Sequence, residues 1–134
     1  MIMIFSDNKK AIAITMFFSS VVFAKDVCTE KNMTADIDSC YANMKNSSEV
    51  ALNKEYGELK NRISESYSTD KITAGEYSNN LFLGQRSWLK YRDYQCSMEA
   101  LFADKNTPAN SSLVNKCISR IDEQRIAEMK VLPY

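Results

Sequence analysis

Three glycines and two prolines in 134 residues leave little from which to build tight turns. A sandwich or barrel of many short strands needs such residues at its reversals, so a helical fold is expected instead. Gly57, Gly75 and Gly84 are too scattered to form a loop that cradles a phosphate. Lys and Arg total 17, as do Asp and Glu, a balance that argues against nucleic-acid binding through a bulk basic surface. Histidine is absent, which removes the commonest general base at neutral pH and the commonest zinc ligand. Ser-His-Asp and Cys-His catalytic sites are excluded on the same ground. The chain reads as small, helical and non-catalytic, with no metal or other cofactor expected.

The N-terminus reads as an address. Lys9 and Lys10 precede an apolar run from Ala11 to Phe23, and Val22-Phe23-Ala24 supplies acceptable residues at the −3 and −1 positions of a cleavage site. A signal peptide over 1–24 and a mature domain over 25–134 are therefore expected, with a periplasmic or secreted destination. The apolar run falls short of the roughly 20 residues that a membrane span needs. No membrane span is expected after cleavage. Cys28 follows Lys25-Asp26-Val27 rather than the small-residue box of a lipid attachment site.

All four cysteines, Cys28, Cys40, Cys96 and Cys117, lie beyond that leader. An even number in a small exported domain predicts two disulfides. A four-cysteine zinc site would want close Cys-x₂₋₄-Cys pairs, and the gaps here are much wider.

Periodicity predicts about four helices. The first covers Asn32 to about Met44, with Ile37, Cys40, Tyr41 and Met44 at spacings of three and four. Asn46 with Glu49 resembles a capping box opening a second, in which Leu52, Tyr56, Leu59, Ile63 and Tyr67 form a continuous stripe. Thr73 with Glu76 is a second such box, opening the longest helix at about Ala74 and running towards Ala103. After a loop around Pro108, Asn110 or Ser111 can cap a last helix bearing Leu113, Val114, Cys117, Ile118, Ile121, Arg125 and Met129. Cys96 then lies about seven residues before the loop and Cys117 about six after it. At 1.5 Å per residue both are roughly 10 Å from the turn, so an antiparallel hairpin pairs them. Cys28–Cys40 remains as the second bridge.

The densest cluster is Gln85-Arg86-Ser87-Trp88-Leu89-Lys90-Tyr91-Arg92-Asp93-Tyr94-Gln95-Cys96. Its aromatic stripe is expected to anchor the core, with Arg86, Arg92 and Asp93 making capping or interhelical hydrogen bonds. Together with Cys28 and Cys40, Leu52-Asn53 followed by Tyr56 and Leu59, and Cys117 followed by Arg120 and Arg125, this string resembles the LprI-like lysozyme-inhibitor family over nearly all of the mature chain. The resemblance implies a disulfide-stapled, all-α domain of the bacterial envelope. It also implies a protein partner of the lysozyme type, bound by occlusion of its substrate cleft without chemistry. The signature positions, Leu52, Asn53, Tyr56, Gln85, Arg86, Trp88, Tyr91, Arg92, Asp93, Arg120 and Arg125, are expected to serve the fold.

Paired carboxylates are the remaining catalytic candidates, Glu55 with Glu58 and Asp122 with Glu123. On amphipathic helices such charges are expected to form solvated faces. An acidic patch of Glu49, Glu55, Glu58 and Glu65 would steer a cationic hydrolase. The competing function is an envelope interaction module, an immunity protein or assembly factor without hydrolase inhibition, and a surface patch rather than the fold separates the two. Sequence leaves the contact residues and oligomeric state open.

Overall fold

The computed structural model describes residues 27–30 and 33–134; the expected signal peptide lies outside them. Among the described residues the regular elements are all helical. Helix α1 spans Thr34–Ser66, α2 spans Lys71–Glu99 and α3 spans Pro108–Lys130. Short 3₁₀ turns occupy Val27–Glu30 and Ala100–Phe102.

Three long helices thus replace the expected four, because the first two are one. Asn46 and Glu49 lie inside α1 and cap nothing. The helix runs through because its inward side is unbroken: Tyr41, Ser48, Leu52, Glu55, Leu59 and Ile63 are all buried at helical spacing. Ser48 sits where the two expected helices would have parted. Its hydroxyl shares its one proton between the Lys45 carbonyl at 2.8 Å and Asp122 Oδ2 on α3 at 3.0 Å. A serine satisfied in this way costs the helix little.

The other boundaries also shift. Asp70 is the N-cap of α2: its carboxylate accepts from the Thr73 amide at 3.0 Å and the Thr73 hydroxyl at 2.7 Å. Thr73 is therefore a donor to the cap rather than the cap itself, and α2 begins before Ala74. At the far end α2 gives way at Glu99 to the 3₁₀ turn. Thr107 then caps α3, accepting from the Asn110 amide at 3.2 Å, with Pro108 in the first turn. The Asn110 side chain, expected as a cap, instead donates to the Ala100 and Ala103 carbonyls at 2.8 and 3.2 Å.

Cross-helix contacts fix the topology. Gln85–Arg125, Arg92–Asp122 and Cys96–Cys117 run in opposite senses along the two helices, so α2 and α3 form the expected antiparallel hairpin. Asp38–Ser112, Ser48–Asp122 and Arg62–Met129 advance together, so α1 and α3 are parallel. That pair shares the most extensive interface. Both disulfides have the pairing expected from sequence, with Cα separations of 5.7 Å for Cys28–Cys40 and 5.4 Å for Cys96–Cys117.

The core has two parts. Leu52, Leu59, Ile63, Leu81 and Met129 form one cluster, and Cys96, Cys117, Ile118 and Ile121 form the other. Trp88 packs against both, as its place in the stripe predicts.

Candidate functional site

The centre of the bundle is charged. Arg92 projects from α2 into the contact between the other two helices, where its Nη1 donates to Asp122 Oδ1 at 2.9 Å. Asp122 is fully buried, and its second oxygen accepts from Ser48. The Arg92 Nε and Nη2 both donate to Asp93, and Nη2 lies 3.6 Å from Glu49 on α1. Burial works against the guanidinium charge, but the hydrogen bonds to Asp122 and then Asp93 outweigh it and raise the Arg92 pKa above its ordinary value. One arginine thereby ties all three helices.

Trp88 belongs to the same assembly. The Arg92 and Arg125 guanidinium carbons lie 5.9 and 5.6 Å from its ring centroid. Arg125 is held in turn by Gln85 at 3.0 Å and Glu128 at 2.9 Å. Gln85, Trp88, Arg92, Asp93 and Arg125 are therefore brought together as one network that links the helices.

The other expected signature positions, together with Gln85 and Arg125 of the network, border two shallow clefts on either side of this ridge. Between α1 and α2, Leu52, Asn53, Tyr56, Gln85 and Arg86 border a hollow of about 200 Å³. Between α2 and α3, Tyr91, Arg120 and Arg125 border one of about 210 Å³ beside Trp88. There Arg120 grips Glu99 with contacts of 2.7 and 2.9 Å. The hydrogen bond from Gln95 is the largest influence holding the Glu99 carboxyl below its ordinary value; burial opposes it, and Arg120 adds smaller lowering contributions. A larger open groove of about 800 Å³ runs between α1 and α3, bordered by Asp36, Asn43, Met44, Ser47, Glu123 and Ile126. Its walls mix small polar side chains with the apolar Met44, Ala51 and Ile126, and they bring together no convergent acid and base.

Two sequence expectations about charge need correction. Glu55 and Asp122 do not belong to solvated faces: both are buried, Glu55 against Arg62 at 2.8 Å and Asp122 against Arg92. Held in ion pairs away from solvent, neither is placed for proton transfer to a substrate. The acidic patch dissolves for the same reason. Glu49 contacts Arg92 and Lys45, Glu55 contacts Arg62, and Glu58 lies 3.5 Å from Lys54. Glu65 alone of the four is exposed without such a partner among the described residues.

Arg62 carried no signal in the sequence, yet it seals the far end of the bundle. It donates to the Met129 and Leu132 carbonyls at 2.8 and 3.1 Å, satisfying acceptors that the end of α3 leaves open. Among the described residues no group of His, Cys, Asp and Glu could hold a metal ion, and no helix is long and apolar enough to cross a membrane.

A family model described as lysozyme inhibitor LprI matches residues 25–129. No curated protein and no solved structure matches the chain.

Proposed function

Because the chain belongs to the lysozyme inhibitor LprI family, we propose that it is an exported protein that binds a lysozyme-type peptidoglycan hydrolase and occludes its substrate cleft. The family match over residues 25–129 carries this reading. The leader up to Ala24 and the two disulfides agree with an oxidising compartment outside the cytoplasm. Occlusion asks only for a rigid surface, and side-chain networks locked across three helices provide one. The chain takes no catalytic part in this mechanism and needs no cofactor.

The test is a titration of a c-type lysozyme, clearing a suspension of purified peptidoglycan, with the oxidised mature protein. Inhibition that saturates near one-to-one stoichiometry is expected. Full clearing at large molar excess would reject the reading for that enzyme and favour an immunity protein or assembly factor. Mass measurement of the exported protein tests the leader, with Lys25 expected as the first residue.

A further inference from the structure

One face of the molecule carries large apolar groups that the fold does not use. Tyr91, Tyr94 and Met98 on α2, followed by Leu101 and Phe102 in the 3₁₀ turn, are all exposed. Steps of three and four residues put them on one side of the helix, and the stripe continues onto the turn. Tyr94 is 74% exposed and Phe102 94%, so neither contributes appreciably to the core. With aromatic side chains presenting about 150–250 Å² each, the five expose on the order of 700 Å². That exceeds the largest apolar patch of a typical monomer and approaches the roughly 800 Å² that each partner contributes to a stable interface.

The segment is also held still. Cys96–Cys117 bridges the hairpin beneath it. The Asn110 amide ties the Ala100 and Ala103 carbonyls, and the Thr107 hydroxyl donates to the Asp104 carbonyl at 2.6 Å. A face ordered before binding loses little entropy in the complex. Its charges lean one way. Lys90 and Lys105 have no ion-pair partner among the described residues, whereas nearby Asp93 and Glu99 are engaged by Arg92 and Arg120. Asp104 offsets one of the two free lysines.

We propose that this face, from Tyr91 to Phe102 with Lys90 and Lys105 at its margins, is the surface that enters the hydrolase cleft. The proposal rests on the inhibitor reading above and names its contact. A glycoside-hydrolase cleft of this class carries a pair of carboxylates at its centre. A projecting aromatic and aliphatic face flanked by free ammonium groups complements it in shape and in charge. Tyrosine is also among the residues enriched at interface hot spots.

The test compares wild type with Tyr94→Ser/Phe102→Ser in the same peptidoglycan-clearing assay, using Val50→Ser/Ile72→Ser as a control on exposed apolar positions elsewhere. Thermal melts confirm that each variant is folded. Inhibition is expected to weaken at least about 30-fold in the first variant, the scale of losing an interface hot spot, and to stay at the wild-type level in the second. A chitin trisaccharide that fills the cleft should compete with the wild-type protein for lysozyme. Undiminished inhibition by Tyr94→Ser/Phe102→Ser would overturn the contact while leaving the inhibitor reading intact, whereas simultaneous binding of trisaccharide and inhibitor would overturn both the contact and occlusion of the cleft. Light scattering on the protein alone covers the other occupant: if the substitutions abolish a dimer and spare inhibition, the face pairs with a second copy and the proposal is wrong. A wild-type protein that does not inhibit overturns both readings together.

Discussion

Near the α2–α3 turn the elements are joined by individual bonds: Cys96–Cys117 between α2 and α3, Cys28–Cys40 between the first 3₁₀ turn and α1, the Asp38–Ser112 contact and the Glu99–Arg120 pair. Towards the opposite end, where α1 leads into α2, they are joined by packing. There Leu59, Ile63, Leu81 and Met129 close on one another, with the Tyr67 and Tyr77 rings tilted against each other outside them, their centroids 5.8 Å apart. The Arg92–Asp122 pair lies between the two regimes. Packing scales with apolar area and tolerates exchange of similar shapes, whereas paired groups demand their partners. Among the described residues the turn end has only Ile118 and Ile121 as large buried aliphatics beside its cystine. Cross-links there supply the cohesion that a fuller core supplies elsewhere, and Cys96–Cys117 lies within the segment that carries the exposed face proposed above.

The sharpest way to break this contrast is at its midpoint. Arg92→Met leaves Asp122 buried and uncompensated, and should destabilise the fold by about 3–5 kcal/mol in urea unfolding. Combining it with Asp122→Leu removes the stranded charge and should recover most of that loss. A double variant no better than the single would mean that Arg92 acts through packing alone. In the packed half, Leu59→Ala should cost about 3 kcal/mol, whereas Leu59→Met should cost less than about 1.5. Equal losses from the two would contradict a core that values volume over identity.

At the turn end, Cys96→Ser/Cys117→Ser opens a loop with a sequence separation of 21. The chain-entropy model gives a loss of about 3 kcal/mol. The same double substitution should also weaken lysozyme inhibition if the turn must be ordered before it binds. A stability loss without an effect on inhibition would separate the two roles. Thr107→Ala removes the N-cap of α3 and should cost about 1 kcal/mol, measured by the same unfolding curves.

The contrast also explains what could be read in advance. The packed half is a matter of periodicity, and the stripe of Leu52, Leu59 and Ile63 announces itself at spacings of seven and four. The hairpin disulfide is likewise legible, because helix rise converts sequence distance from a turn into height. The paired half is not. Ser48, Glu55 and Asp122 are polar, so an apolar stripe seems to stop at them and their charges suggest solvent. Their burial depends on partners up to 74 residues away. This is why α1 reads as two helices with a break at Asn46. Tyr94 and Phe102 pose the converse difficulty: apolar residues at helical spacing suggest a core, and only the placement of α1 and α3 on the other side reveals that they are uncovered.

The smallest effect concerns acid. Asp70 and Glu99 stand near the two ends of α2, and both carboxyls lie below their ordinary values. For Asp70 the leading cause is the Thr73 hydroxyl, followed by the Thr73 amide; for Glu99 it is Gln95, with Arg120 a lesser contributor. A carboxyl depressed in the folded state binds fewer protons there than in the unfolded chain. Its contribution is therefore complete above the unfolded value and is lost as pH falls through the folded one. Both groups are exposed enough for water to screen them, so each change should be slight. Glu99→Gln should flatten the fall in melting temperature below pH 4.5 while leaving the curve above pH 6 nearly parallel to wild type. Asp70→Asn should do the same from a slightly lower pH, and an asparagine can still cap the helix. If Glu99→Gln instead lowered stability equally at every pH, the Arg120 contact would be acting through geometry, and the turn end would depend on shape as much as the packed half does.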